Sequence, residues 1–370
     1  MTELLTSPLH AEHEKLGATF TAFGPWNMPL KYQNELDEHR AVRSTAGLFD
    51  LSHMGEIWVN GADADKFLSY AFISNFEPLK VGKAKYSMIA AEDGGIIDDL
   101  ITYRFEEDKF LVVPNAGNAD TVWDELNKRA EGFDVSLKNE SRDVAMIAVQ
   151  GPKAAEILVP LVEDNKQDEV YNLGYYAATM GKVARTFAII ARTGYTGEDG
   201  FELIVYNSDA PQLWEELLKA GAEYDLKPCG LAARDSLRLE AGMPLYGNEL
   251  SRDITPVEAG MARAFAKKEA DFIGAEVIRQ RAAEGPQVAI TGLTSAQRRA
   301  ARAGAEVFVG DKKVGTVTSG QPSPTLGHPV AIALLETSAE LEPGAEVEVE
   351  IRGKRYPFEV TTLPFYKRDK

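Results

Sequence analysis

The sequence has little cysteine and histidine. The 370 residues contain one cysteine, Cys229, so no intramolecular disulfide can form, and this fits a reducing compartment. The five histidines provide no HExxH and no His–Cys spacing, so we expect no bound metal. Phosphate-binding motifs are missing too: there is neither GxxxxGK[ST] nor a GxGxxG between a strand and a helix. These absences argue against disulfide scaffolds, metalloenzymes and nucleotide-binding enzymes of these types.

Basic charge and long apolar runs are also scarce. There are 40 Lys and Arg against 57 Asp and Glu, a net charge of −17, which argues against nucleic acid or an anionic membrane as the main partner. No apolar run reaches the ~18 residues of a membrane-spanning helix. The first residues, MTELLTSPLHAEHEKLG, are acidic and polar, unlike a signal or transit peptide. We therefore expect a cytoplasmic protein.

Length and strand patterns predict more than one domain, because single cores rarely grow beyond ~250–300 residues. Most of the chain mixes short helices with strand-like stretches such as KFLVVPN (109–115), which is typical of an α+β layer. The last part shows only short strand-like segments, with Gly310-Asp311 as a hairpin turn. We predict an α+β region over 1–280, in two intertwined subdomains split near residues 55 and 140, and a small β-barrel over 281–370.

Carboxylates lie among apolar residues in two predicted strands. Side chains alternate along a strand, so Asp98 and Asp99 of GGIIDDL (94–100) point to opposite faces, and both faces are otherwise apolar. Glu202 follows the glycine-rich turn GYTGEDG (194–200) and alternates with Phe201 and Leu203. Burying an unpaired carboxylate costs several kcal/mol or raises its pKa until it is neutral. Asp99 and Glu202 therefore need hydrogen-bond donors.

Two arginines can supply these donors. Arg234 and Arg238 are four residues apart in GLAARDSLRLE, on one face of a predicted helix. Solvation, or pairing with Asp235 and Glu240, is the structural alternative for either arginine. Met54, Tyr86, Tyr195 and Tyr246 are core positions when taken singly. Together with the charges they have the composition of a pocket for a flat polar heterocycle with an anionic tail.

The order of these motifs resembles the aminomethyltransferase, or T-protein, family of the glycine cleavage system. The resemblance runs from about residue 8 to 366. Its matching stretches are WNMPLKY (26–32), RSTAGLFDLSHMGE (43–56), KAKYSM (83–88), GGIIDDL (94–100), VQGPKA (149–154), RTGYTGEDGFEL (192–203), AARDSLRLEAGMPLYG (232–247), TPVEAGM (255–261), FIGAE (272–276), TSGQPSPTLG (318–327) and LPFY (363–366).

The resemblance implies a fold and a reaction. The fold is a cloverleaf of three domains around a central cavity that holds tetrahydrofolate. In the reaction, an aminomethyl group passes from the lipoyl arm of the carrier H-protein to tetrahydrofolate, giving methylenetetrahydrofolate, ammonia and the dihydrolipoyl carrier. Docking of an acidic carrier onto this acidic chain requires a local basic patch, for which RRAAR (298–302) is the candidate.

The resemblance also implies roles for single residues. Asp99 matches the key acidic residue of the family, Glu202 the pterin-binding glutamate and Arg234 the folate-contacting arginine. Asp99 would orient the folate amine, whereas Asp98 would point away and serve the fold. The positions that line the cavity fall on Met54, Tyr86, Tyr103, Asn115, Tyr195 and Tyr246, and Tyr366 closes it.

Other functions remain open at this point. A folate-dependent demethylase of a small sulfonium or methylamine compound would keep the fold and the pocket. A non-catalytic folate-binding protein of iron–sulfur cluster assembly would need a Lys-Gly-Cys-Tyr-type motif, whereas Cys229 lies in KPCGL. A purely structural interaction module would leave the carboxylates in apolar strands unexplained.

Overall fold

The structure is a computed structural model that describes residues 3–368 and divides into two compact units. Unit 1 contains the chain up to Ala71, Phe76–Ser87 and Leu100–Arg234. Unit 2 contains Phe72–Asn75, Met88–Asp99 and the chain from Asp235 onward. Each unit is described by itself below.

The strands are short and follow one another closely along the chain. They are β1 (Leu5–Thr6), β2 (Thr19–Phe23), β3 (Trp26–Lys31), β4 (Gly47–Asp50), β5 (Ile57–Asn60), β6 (Ala84–Ala90), β7 (Ile96–Glu106), β8 (Lys109–Pro114), β9 (Ser136–Asn139), β10 (Val144–Gln150), β11 (Ala178–Val183), β12 (Thr186–Ala191), β13 (Gly200–Tyr206), β14 (Lys227–Cys229), β15 (Val288–Thr294), β16 (Glu306–Val309), β17 (Lys312–Pro322), β18 (Pro329–Glu336), β19 (Glu346–Ile351) and β20 (Lys354–Thr361).

The helices are α1 (His10–Lys15), α2 (Glu35–Ser44), α3 (Ala64–Ala71), α4 (Ala119–Arg129), α5 (Ala154–Leu158), α6 (Gln167–Tyr171), α7 (Ala210–Gly221), α8 (Leu231–Glu240) and α9 (Ala275–Glu284). Short 3₁₀ turns lie at Val159–Leu161, Asp164–Lys166, Ala222–Tyr224, Ala262–Ala264 and Thr337–Ala339. The alternation of helices with strands is the mixed α+β class that the sequence predicts, and that prediction is confirmed.

The core of unit 1 forms on a six-stranded sheet in the order β11-β12-β13-β10-β4-β14. β10 is an apolar run, VAMIAVQ, that is buried along its whole length, as expected for a central strand with both faces covered. Helix α7 packs on this sheet because its apolar residues recur at helical spacing: Leu213, Trp214 and Leu217 are fully buried in the core. Strands β10 and β13 pair in antiparallel register, with Ala148 opposite Glu202.

A second sheet has the order β6-β7-β8-β5-β9. Its strand β7 carries both aspartates of GGIIDDL, and Asp98 is fully buried whereas Asp99 is half-buried. Within unit 1, the register places Tyr103 of β7 opposite Leu111 of β8, and Leu111 opposite Trp58 of β5. Paired residues share a face, so these three side chains lie on the same side of the sheet.

The C-terminal part of unit 2 is a closed barrel in the order β15-β18-β17-β16-β19-β20. Its interior is filled by aliphatic side chains and Phe358, and closure leaves no open sheet edge in the barrel that the described residues form. The Gly310-Asp311 pair lies between β16 and β17, where the sequence predicts a hairpin turn. The prediction of a small C-terminal β-barrel is confirmed.

Within residues 3–368, no helix is both long enough and apolar enough to cross a membrane. The same part of the chain contains no cluster of three or more His, Cys, Asp or Glu side chains able to hold a metal ion.

Arg238 of α8 is a buried structural arginine of unit 2. Its guanidinium donates to Glu249 at 3.0 Å, to Asp235 at 2.8 Å and to the Ser319 hydroxyl at 2.8 Å. Glu249 is itself fully buried and accepts a further bond from the Thr318 hydroxyl. Of the partners that the sequence leaves open, Asp235 is therefore correct, and the buried Glu249 is a further partner that the sequence did not name.

Glu240, the last residue of the same helix, has hydrogen-bond donors from the C-terminal part of unit 2. It accepts hydrogen bonds from the hydroxyls of Ser323 and Thr325 and from the Thr325 backbone N–H. These partners are more than eighty residues away along the chain, beyond the reach of a helix-spacing argument.

Replacing Arg238 with methionine should destabilise unit 2, because it leaves the Glu249 carboxylate buried without its cation. Breaking a buried pair in this way costs about 3–5 kcal/mol. We expect Arg238→Met to lower the free energy of unfolding in urea by this amount, and the exposed Arg298→Met to change it little. Equal stability of the two variants would contradict this view of Arg238.

Candidate functional site

Glu202 of β13 is the centre of a hydrogen-bonded cluster in unit 1. The Thr193 hydroxyl donates to Glu202 Oε2 at 2.5 Å. The hydroxyl of Tyr103 lies 2.9 Å from the same Thr193 oxygen, and it donates because the Thr193 proton is already used. Tyr103 and Thr193 are buried. A chain of two hydroxyls therefore ends on the carboxylate.

Arg234 supplies positive charge next to this carboxylate. Its guanidinium lies 4.7 Å from the centre of the Tyr195 ring, which is a cation–π contact. Its charge acts on Glu202 and lowers the pKa of that carboxyl. Arg234, Glu202 and Tyr195, which the sequence singled out separately, are thus neighbours in unit 1.

Burial nevertheless raises the pKa of Glu202 above its ordinary value, because desolvation outweighs the opposing effects of Thr193, Arg234 and Tyr103. Burial also raises the pKa of Tyr103 well above its ordinary value, so Tyr103 keeps its proton. The cluster combines a carboxyl acceptor, an aromatic face and a cation in a poorly solvated place. This combination suits the amino and imino donors of a flat heterocycle.

The loop of residues 192–200 (RTGYTGEDG), here called the glycine loop, holds Thr193 and Tyr195 in place. Gln150, at the end of β10, donates from Nε2 to the Thr193 carbonyl at 3.0 Å and accepts from the Thr196 hydroxyl at 2.8 Å. A Cβ on Gly194 would lie 2.0 Å from Gln150 Oε1, and one on Gly200 2.5 Å from Nε2. The glycines are therefore required because the loop wraps closely around this side chain.

The two acidic residues of the glycine loop bind arginines of the scaffold. Asp199 accepts two bonds from Arg192, at 3.0 and 2.6 Å. Glu198 accepts from Arg43 at 2.9 Å, and Arg43 also donates to the Thr196 carbonyl at 2.7 Å. These bonds hold both sides of the loop, so the acidic residues are structural.

The remaining predicted site residues of unit 1 are Met54, Tyr86 and Asn115. Each is half-buried: Met54 lies in the turn after β4, Tyr86 on β6 and Asn115 directly after β8. Their role as cavity-lining residues stays a prediction.

In unit 2, Asp99 lies near Tyr246. The Tyr246 hydroxyl donates to the Ile96 carbonyl at 3.0 Å. Burial first, and then the charges of Asp98 and Asp99, raise the pKa of Tyr246. Tyr366 is half-buried, and its backbone N–H donates to the Glu240 carbonyl at 2.8 Å.

Comparison with known proteins gives the family. Residues 9–269 match the model of the GCVT N-terminal domain, and residues 289–367 match that of the glycine cleavage T-protein C-terminal barrel domain. An aminomethyltransferase of Corynebacterium aurimucosum is 83% identical over 370 residues, which is all of both chains. An aminomethyltransferase of Moorella thermoacetica is 42% identical over all of both chains. The chain belongs to the T-protein family of aminomethyltransferases.

A solved T-protein has the same fold. The crystal structure of the glycine cleavage system aminomethyltransferase T from Bartonella henselae has a TM-score of 0.91, is 40% identical and covers 98% of each chain. The prediction of an aminomethyltransferase of the glycine cleavage system is therefore confirmed, as is its assignment to the transferases.

Sequence reasoning did not single out two residues next to this cluster, Gln150 and His53. Gln150 is the one polar residue of the described strand β10, and this was the available signal. His53 is buried, and burial, with the charge of Arg234, lowers its pKa to about 3. His53 is therefore neutral at physiological pH. The sequence feature that could have identified it is its place in the SHMGE motif, next to Met54.

Thr193→Val tests the hydroxyl chain that ends on Glu202. The hydrogen bond from Thr193 lowers the pKa of Glu202, so its removal should raise that pKa further above the ordinary value. The measurement is a ¹³C NMR titration of glutamate carboxyls in the wild-type and variant proteins.

The control is Thr102→Val, a change of the same size at another buried threonine. The Thr102 hydroxyl has no hydrogen-bond partner among the described residues, so this variant should leave the Glu202 titration unchanged. If Thr193→Val behaves like the control, the hydroxyl chain does not act on Glu202.

Proposed function

We propose that this chain transfers the aminomethyl group of the S-aminomethyldihydrolipoyl H-protein to tetrahydrofolate. The products are 5,10-methylenetetrahydrofolate, ammonia and the dihydrolipoyl H-protein. The observation that carries the substrate assignment is the cluster of Tyr103, Thr193, Glu202 and Arg234 in unit 1. It is a poorly solvated carboxyl with its own donors and a cation, in a chain of the aminomethyltransferase family.

The cluster supports binding of the pterin ring. A pterin presents amino and imino donors on one edge, and the Glu202 carboxyl accepts such donors. The Tyr195 ring, with Arg234 at 4.7 Å, offers a flat surface, and the guanidinium also attracts the anionic glutamyl tail. Met54, Tyr86, Tyr103 and Asn115 are the other residues of unit 1 that we assign to folate binding, and the roles of Tyr246 and Tyr366 of unit 2 stay predictions.

Asp99 is the proposed catalytic residue. The transfer breaks the carbon–nitrogen bond to departing ammonia and the carbon–sulfur bond to the lipoyl arm, and it forms two carbon–nitrogen bonds to folate. Positive charge develops on the transferred carbon when it becomes iminium-like, and a nearby carboxylate stabilises that charge. Asp99 also orients the folate amine, and exclusion of water keeps the reactive carbon from hydrolysis.

The partner in this proposal is the lipoylated H-protein. The run RRAAR (298–302) supports docking of an acidic carrier, because Arg298, Arg299 and Arg302 are exposed in unit 2.

The domain boundary near residue 281 and the cytoplasmic location also stay predictions.

The first test of this proposal is Asp99→Asn, which removes the charge and keeps the shape. Transfer should fall by about a hundredfold or more, the usual contribution of a catalytic carboxylate. Folding and tetrahydrofolate binding should be retained. The measurement is the formation of methylenetetrahydrofolate and ammonia from aminomethylated carrier protein and tetrahydrofolate.

The control for this test is the exposed Asp108→Asn between β7 and β8, which should react at the wild-type rate. Wild-type turnover by a folded Asp99→Asn protein would refute the catalytic role.

The second test is Glu202→Ala, which removes the acceptor for the pterin donors. Stranding buried donors costs roughly 1–3 kcal/mol, so tetrahydrofolate should bind about five- to 150-fold more weakly by calorimetry. The exposed Glu223→Ala is the control and should bind normally. Unchanged affinity in Glu202→Ala would remove Glu202 from the folate site.

A further inference from the structure

Gln150 is a buried polar residue that lies next to the folate residues of unit 1 without being one of them. It is the last residue of the central strand β10 and is 1% exposed. The register places it opposite Gly47 of β4 on one side and Gly200 of β13 on the other. Burying a primary amide is costly unless both its donor and its acceptor find partners. The partners of this amide therefore show what its burial serves.

The Gln150 amide binds the glycine loop at two points. Its Nε2 donates to the Thr193 carbonyl at 3.0 Å, and its Oε1 accepts from the Thr196 hydroxyl at 2.8 Å. A carbonyl only accepts, so the amide nitrogen must be the atom that faces Thr193. The Thr196 oxygen is the acceptor for the Glu198 N–H at 3.2 Å, and its own proton goes to Gln150. Both polar groups of the side chain are thus used, in one orientation.

The two bonds from Gln150 hold both ends of a short segment that contains Tyr195. Thr193 and Thr196 flank this segment in the sequence, so fixing both of them fixes the backbone between them. The Tyr195 ring, which lies 4.7 Å from the Arg234 guanidinium, is placed by that backbone. The bond at Thr193 also holds the residue whose hydroxyl donates to Glu202. One buried side chain therefore supports both the aromatic face and the carboxyl of the proposed folate site in unit 1.

The glycine loop closes tightly on the Gln150 side chain. The three atoms nearest to a Cβ built on Gly194 all belong to the Gln150 amide, at distances of 2.0 to 2.7 Å. On the other side, a Cβ on Gly200 would lie 2.5 Å from Gln150 Nε2. Both contacts are far shorter than van der Waals separation. The amide is therefore enclosed between two glycines, which leaves the loop little freedom to shift while Gln150 is in place.

Glutamine is the side chain that meets these requirements. Asparagine is one methylene shorter, an ionised glutamate has no donor for the Thr193 carbonyl, and methionine has the length but neither polar atom. A second anchor keeps the loop attached when Gln150 is replaced, because Arg43 donates to the Thr196 carbonyl at 2.7 Å and to Glu198 at 2.9 Å. Replacing Gln150 should therefore shift the loop without unfolding it.

We propose that Gln150 is a positioning residue for folate binding. It acts through the glycine loop, by holding the Thr193 hydroxyl against Glu202 and the Tyr195 ring beside Arg234 before the ligand arrives. Binding to a site that is already formed avoids the entropic cost of ordering it. This inference rests on the proposed function, because tetrahydrofolate is the ligand whose affinity the loop would set.

The first test compares Gln150→Met with Gln167→Met. Gln167 is a matched control in unit 1: it is half-buried and donates from Nε2 to the Val162 carbonyl at 2.9 Å. Gln150→Met should weaken tetrahydrofolate about tenfold or more by calorimetry, because the donor to Glu202 and the Tyr195 ring lose their fixed positions. Gln167→Met should bind like the wild type, and equal affinities of the two variants would overturn the proposal.

Steady-state kinetics separates positioning from a loss of folded protein. In Gln150→Met the KM for tetrahydrofolate should rise with the dissociation constant, and kcat should fall by less than KM rises, because Asp99 lies outside the glycine loop. A fall in kcat with an unchanged KM would mean only that less of the enzyme is active, and it would contradict the positioning role.

A measurement without ligand separates this inference from the proposed function. The hydrogen bond from Thr193 lowers the pKa of Glu202, so a displaced Thr193 in Gln150→Met should raise that pKa in a ¹³C NMR titration, whereas Gln167→Met should leave it unchanged. Absence of tetrahydrofolate binding in the wild type would refute the proposed function. An unchanged Glu202 titration in a Gln150→Met protein that binds tetrahydrofolate would overturn the inference alone.

A double-mutant cycle tests the close contact directly. Gly194→Ala puts a methyl group where the Gln150 amide lies, so it should weaken tetrahydrofolate about tenfold or more in the wild-type background. Gln150→Ala frees that space, so in its background Gly194→Ala should change the affinity by less than about threefold, as expected for residues in direct contact. An equal cost of Gly194→Ala in both backgrounds would overturn the proposal. If Gln150→Ala does not fold, the comparison of Gln150→Met with Gln167→Met decides.

Discussion

The site of unit 1 depends on donors for one carboxyl, Glu202, which is half-buried and partly desolvated. Such a group is unstable without hydrogen-bond donors inside the protein. Here the Thr193 hydroxyl donates to Glu202 and the Tyr103 hydroxyl donates to Thr193. Arg234 adds a positive charge nearby. The donors are in turn held by the glycine loop around Gln150. A small shift of that loop would remove the Thr193 hydroxyl from Glu202, so the chemistry of the site relies on backbone packing of a loop.

Glu202 and Glu56 show two outcomes of the same burial. Burial raises the pKa of both carboxyls, but Glu202 has a hydroxyl donor and a nearby arginine, whereas Glu56 has no hydrogen-bond partner in the described part of the chain. The Glu202 carboxyl has its hydrogen-bond donor and its neighbouring cation within the protein itself. The Glu56 carboxyl has no such donor among the described residues.

Local patterns predicted part of this structure. Alternation along strands placed Glu202 among apolar residues, and turn chemistry placed the Gly310-Asp311 hairpin, because both depend on neighbours in sequence. Arg238 was different, since its partner Ser319 lies 81 residues away and only the closed barrel brings it near. The role of Gln150 was hidden for a related reason: the tightness of the glycine loop appears only when the loop is folded. Long-range contacts of this kind leave no periodic signal.

The two aspartates of GGIIDDL work only in one register. Successive side chains on β7 point to opposite faces, so a slip by one residue would exchange the buried Asp98 with the half-buried Asp99. Within unit 2, the register is fixed just before the pair: the Ile96 N–H donates to the Ile254 carbonyl at 3.0 Å, and the Ile96 carbonyl accepts from Tyr246 at 3.0 Å. Both backbone groups of Ile96 are thereby engaged by residues outside the sheet. Tyr246 thus helps to hold the strand position on which the placement of Asp99 depends.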